Sequence, residues 1–117
     1  MSERILKAKA YALAAPGANT NMLSSNVTIE TPGSAALRVT VSLTTASVFN
    51  LRVTDGTTAY DIGLNGSVAL TAGDLYSFTF SALKANSAGV ALEYNFRVET
   101  DGVVRFLCVE EITGGVI

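Results

Sequence analysis

The chain has no histidine and no tryptophan, one cysteine and two prolines in 117 residues. Without histidine it has no Ser-His-Asp or Cys-His nucleophile pair, and with one cysteine it has neither a Cys/His zinc site nor an internal disulfide. Charge is scarce as well. Eight Lys plus Arg stand against ten Asp plus Glu, 15% of the chain, where an average soluble domain carries about 25%. The formal net charge of −2 gives no basic excess to draw the surface onto nucleic-acid phosphates or anionic lipid, so neither nucleic acid nor membrane is an expected partner. No apolar run approaches the roughly 20 residues that a membrane-spanning helix needs. Residues 1–9 mix both charges, and the apolar stretch over 10–15 is too short and too rich in alanine for a secretory core. Synthesis in the cytoplasm without an export signal is therefore expected.

Small hydroxyl side chains take the place of charge: 13 Thr and 10 Ser accompany an apolar fraction of 49%. On pleated strands these are the usual outward partners of inward Val, Leu and Phe, so the composition is that of an all-β protein. A surface this poor in charge has little to keep copies apart, which favours association and a homo-oligomer.

Period-two alternation runs from residue 27 onward. Leu37, Val39, Val41 and Leu43 alternate with Arg38, Thr40, Ser42 and Thr44; Tyr76, Phe78 and Phe80 with Ser77, Thr79 and Ser81; Leu92, Tyr94, Phe96 and Val98 with Glu93, Asn95, Arg97 and Glu99. Asp55-Gly56, Asn65-Gly66, Gly73-Asp74 and Asp101-Gly102 punctuate these runs as turn signals, the first read as a type I′ hairpin, and together they predict a hairpin meander. The expected fold is a single antiparallel β-sandwich or jelly-roll-like domain. Residues 1–13 read as an N-terminal arm or first strand, 14–26 as a linker or loop, and 27–117 as the sandwich body with an apolar tail. The segment 103–109 is apolar on both alternating faces apart from Arg105, which predicts a central position beneath another element or a face that meets another chain.

Nine carboxylates could in principle serve a two-acid hydrolase: Glu30, Asp55, Asp61, Asp74, Glu93, Glu99, Asp101, Glu110 and Glu111. Most sit where the fold already needs them. Asp55, Asp74 and Asp101 suit turns, and Glu93 and Glu99 share a polar strand face with Arg97. Glu110 and Glu111 are adjacent, so on a strand they point to opposite faces. No Asp-rich loop suits calcium, and Gly114-Gly115 precedes no helix that could complete a phosphate cradle. No catalytic residue, metal site or cofactor is expected. Cys108, set in an apolar run, reads as an inert thiol. Tyr11 and Tyr60 are the two aromatics outside the aromatic runs at 76–80 and 94–96 that could stand exposed, as a lectin-like or receptor-binding face would require.

The hairpin grammar over residues 48–117, with Asn50-Leu51-Arg52-Val53-Thr54-Asp55-Gly56, Leu64-Asn65-Gly66, Leu70-Thr71-Ala72-Gly73-Asp74-Leu75-Tyr76-Ser77-Phe78-Thr79-Phe80 and Tyr94-Asn95-Phe96-Arg97-Val98, resembles small virion proteins of tailed bacterial and archaeal viruses. The resemblance is to capsid decoration (cementing) proteins and related subunits. It implies a non-enzymatic β-sandwich or jelly roll that docks on a capsid or tail lattice, commonly as a trimer, with the major capsid protein or another virion protein as partner. Contacts between subunits are expected at Ile5, Leu6 and Tyr11 near the start and at Val116 and Ile117 in the tail. The alternatives are a lectin-like or receptor-binding module and a tail or fibre subunit.

Overall fold

The computed structural model describes residues 4–11, 17–23, 26–29, 34–100 and 103–113. Eight strands form two antiparallel sheets among them. In the first sheet β1 (Arg4–Tyr11), β8 (Val104–Thr113), β3 (Ser34–Leu43) and β6 (Leu75–Leu83) lie side by side in that order. The second sheet runs β2 (Val27–Thr28), β7 (Glu93–Val98), β4 (Phe49–Thr54) and β5 (Ala59–Gly63). Following the chain, every step but β4 to β5 crosses from one sheet to the other, and this strand order is a jelly roll.

The sandwich expected from the alternation is therefore present, whereas the meander shrinks to the β4–β5 hairpin. Turn dipeptides mark where the chain reverses, but β7 and β8, which flank Asp101-Gly102, end up in different sheets. The turns also sit one residue later than the dipeptides suggest. Asp55 donates its amide to the Thr58 carbonyl, and Gly56, with φ +92°, occupies the first central position, so the turn is Gly56-Thr57 and not a type I′ Asp55-Gly56. In the next turn Gly66 and Ser67 carry the paired positive φ values of 65° and 64°, closed by the Val68 amide on the Asn65 carbonyl.

The core fills the space between the sheets. Leu37, Val39, Val41 and Leu43 of β3 and Leu107 and Val109 of β8 face Phe49 and Leu51 of β4 and Tyr94, Phe96 and Val98 of β7. Phe49 stacks on Phe96 at 5.6 Å between ring centroids and on Phe78 of the opposite sheet at 6.2 Å, while Phe80 meets Tyr94 and Phe96. The two aromatic strands thus lock the layers together, each buried ring contributing about 2–3 kcal/mol relative to an exposed one.

One expectation changes on packing grounds and another narrows. Residues 17–23 of the expected linker are not a spacer: Met22 and Leu23 are buried in the core. They also lie along β7, with the Asn19 amide on the Val98 carbonyl and the Met22 amide on the Phe96 carbonyl. Val103, just before β8, and Leu107 and Val109 within it are buried, but Phe106 on the other face is 48% exposed, so the described residues leave that face open at Phe106. Alternation sets Phe106 with Cys108 on the outward face, which nothing among the described residues covers there; just before it a β-bulge, with Leu43 paired to Val104 and Ser42 to Phe106, leaves Arg105 as the extra residue.

Candidate functional site

The polar groups are engaged in holding the fold. On the outward face of the second sheet, Arg52 grips Asp61 through two hydrogen bonds of 2.7 and 2.9 Å. Beside them Asn26 donates to Glu93 at 2.7 Å, Asn95 donates to Asn26, Arg97 donates to Asn95, and Asn50 donates to Glu99. On the outward face of the first sheet Arg38 pairs with Glu110 at 2.9 Å. Glu111, its neighbour, is buried on the inward side opposite Leu37, so the two carboxyl groups face opposite ways. Asp55 accepts the amides of Thr57 and Thr58, which hold its carboxyl below the usual carboxylate range. Asp61 is likewise lowered, chiefly by the Arg52 hydrogen bonds. Among the described residues no group of three or more His, Cys, Asp or Glu side chains converges as a metal site would.

Cys108 lies on the outward face of β8, half-buried and opposite Thr40 of β3, and burial pushes its thiol above the ordinary value, with the nearby Glu110 carboxylate adding to the effect. It is held as the neutral thiol at pH 7.

Uncovered apolar surface is the more informative feature. Among the described residues seven large apolar side chains are exposed: Tyr60, Ile62, Val68, Leu75, Leu83, Val90 and Phe106. All but Phe106 belong to β5, β6 or the loops next to them, so the apolar surface gathers on one flank of the sandwich. Two depressions adjoin it. The larger, of about 500 Å³, is floored by Ser42 and walled by Leu75, Phe106, Arg105 and Gly73. Register places Leu75, Ser42 and Phe106 in one row across three strands, so a small side chain sits between two large ones and the cleft follows. The bulge brings Arg105 to its rim, where it donates to the Gly73 carbonyl at 3.2 Å. The Ser42 hydroxyl is buried and has no hydrogen-bond partner among the described residues. The smaller depression, about 320 Å³, lies at the β4–β5 turn between Tyr60, Asp55, Thr58, Asn86 and Leu92.

Of the residues expected at subunit contacts, Ile5, Leu6 and Tyr11 belong to β1, the outer strand of the first sheet, where Ile5 stands opposite Ile112 and Tyr11 opposite Cys108. Val116 and Ile117 lie outside the described residues. Tyr60 is 65% exposed, as a binding face would need. Sequence reasoning missed Ile62, Leu75, Leu83 and Phe106, because strand alternation assigns a residue to a face without saying whether anything covers that face. No known family model matches the chain, and no curated protein matches it.

Proposed function

We propose that this protein is a non-enzymatic structural subunit of a virion, most concretely a capsid decoration or cementing protein that stabilises the particle by protein-protein contact. The observation that carries the reading is the segregated apolar flank: six exposed apolar side chains on and around β5 and β6 of a jelly roll whose carboxylates serve turns and cross-strand pairs. Such a surface is stable in water once another polypeptide covers it. The resemblance of the hairpin segments to small virion proteins supplies the partner, a capsid or other virion protein, and the site of action. Repeated over a lattice, contacts of roughly 800 Å² per partner add stability to the shell by mass action without any bond being made or broken.

Antibody raised against the purified chain tests this on particles isolated from cells that carry its coding sequence. Regular labelling of the capsid or tail surface in electron micrographs is expected. Recovery of the protein in the soluble fraction alone, with unlabelled particles, refutes the reading.

A second reading, a lectin-like or receptor-binding module, is favoured by one specific observation: the exposed Tyr60 ring beside the polar groups of Asp55, Thr58 and Asn86. A glycan array separates the two, since binding that disappears in Tyr60→Ala selects the second reading.

A further inference from the structure

We propose that the cleft above Ser42 binds a small carboxylate that carries a compact apolar group, with Arg105 as the arm that takes the carboxylate. The inference goes beyond the assembly reading and does not depend on it. The cleft lies on the outward face of the first sheet, where β3 ends and β6 and β8 begin, and its volume of about 500 Å³ is that of an ordinary ligand pocket.

Its groups are unsatisfied in a protein whose polar side chains are otherwise largely paired. Arg38 and Arg52 each hold a carboxylate, at 2.9 and 2.7 Å. Arg105 holds only the Gly73 carbonyl, at 3.2 Å, and has no carboxylate partner among the described residues. That bond is at the long end of the N–H···O range and uses one arm of the guanidinium, which leaves most of a five-donor fork open to an acceptor. The Ser42 hydroxyl at the floor is buried without a partner among the described residues, a desolvated donor whose cost an oxygen of a ligand removes. On either side of Ser42 in the same cross-strand row stand Leu75 and Phe106, 68% and 48% exposed.

The strand order connects these groups. β3 lies between β8 and β6, so the Arg105 side chain, which leaves β8 and bonds Gly73 two residues before β6, crosses the end of β3 beside Ser42. It is a strap across the cleft, fastened by one long bond to a neutral carbonyl. A carboxylate accepts charge-assisted bonds about twice as strong, so it draws the guanidinium off Gly73 and opens the way to the Ser42 hydroxyl. The bound carboxylate then accepts from Arg105 and from Ser42, and its apolar group lies between Leu75 and Phe106. One cation and one hydroxyl match a planar, singly charged group with two oxygens. A phosphate brings more charge and a third acceptor oxygen, for which the cleft has no second cation.

Titration of the isotope-labelled full chain with 3-phenylpropionate, followed by the backbone amide signals in magnetic resonance, tests the proposal. Saturable shifts are expected at Ser42, Gly73, Leu75 and Phe106, with a dissociation constant of about 1 mM for a probe of this size. Acetate, which lacks the apolar group, and 3-phenylpropionamide, which lacks the charge, should each bind at least tenfold more weakly. Arg105→Gln should weaken the carboxylate at least tenfold while leaving the amide's affinity unchanged, a pattern that a disrupted cleft does not give. Ser42→Ala should weaken the carboxylate several-fold, yet leave the melting temperature of the ligand-free protein unchanged or raised, since the hydroxyl it removes has no partner among the described residues. The absence of saturable shifts at these residues up to about 10 mM overturns the proposal. Equal affinity for the carboxylate and its amide, or undiminished binding by Arg105→Gln, overturns it as well. The particle-labelling experiment bears on the assembly reading alone, so the two fail separately.

Discussion

Truncation of Phe49 to alanine is the sharpest test of how the two sheets are held together. The side chain is fully buried and stacks on Phe96 within its own sheet and on Phe78 across the core. Loss of its transfer free energy amounts to about 2–3 kcal/mol. A cavity of about 80 Å³ left between layers that cannot fully collapse adds about 2 kcal/mol, at ~24 cal/mol per Å³. Together Phe49→Ala should destabilise the domain by about 4–5 kcal/mol, a large share of the 5–15 kcal/mol typical of a whole domain, and lower its melting temperature by roughly 15 °C. Phe106→Ala is the matched control, being half exposed on the outward face, and should cost under about 1 kcal/mol in the free subunit. Urea unfolding at several protein concentrations separates intrinsic stability from assembly. If Phe49→Ala loses less than about 1.5 kcal/mol, or no more than Phe106→Ala, the account of the core is wrong.

Gly63→Ala places a new Cβ 2.6–2.9 Å from the hydroxyl, amide and Cα of Ser67, so the turn backbone must move; a loss of about 1–3 kcal/mol in denaturant unfolding is expected, and a neutral result would show that this turn is not held tightly. Because Asp55 and Asp61 are lowered in the folded state, their stabilisation is complete above the ordinary carboxylate range and is lost as pH falls through the folded values. Asp55→Asn/Asp61→Asn should therefore flatten the acid limb of stability below about pH 4. The Asp61 pair is exposed and screened and should contribute well under 1 kcal/mol of that change, and an unaltered slope in urea midpoints across pH would refute the assignment. Cys108 should react with a neutral disulfide reagent several-fold more slowly at pH 7 than an unstructured cysteine; an equal or faster rate would contradict a raised thiol.

The strands were legible wherever one face is wet and the other dry. Leu37 to Leu43 and Tyr94 to Val98 alternate as expected, and the structure buries the apolar members. Their order was not legible, since a turn such as Asn65-Gly66 reports a reversal of direction without reporting which layer receives the next strand. Met22 and Leu23 were hidden because two apolar residues between polar ones have no period to read, although their burial closes one side of the core. In β8 alternation puts Phe106 and Leu107 on the faces where they lie, but apolar residues on both faces do not say what covers each, and Phe106 stands in solvent. For the candidate site, Tyr60 was found as the lone aromatic of its run, but Ile62 beside it was not, because its exposure comes from the length of the opposite sheet and not from its own neighbours.

The irregular pairing of β1, broken between Ile5 and Lys7 and again between Ala8 and Ala10, has a consequence for the size of anything this chain builds. The first sheet ends at β1, where two register shifts together with Lys7 and Lys9 give an incoming strand no regular template. Endless sheet extension through that edge is therefore disfavoured, and a protein with a bare and sticky rim is steered away from fibrils.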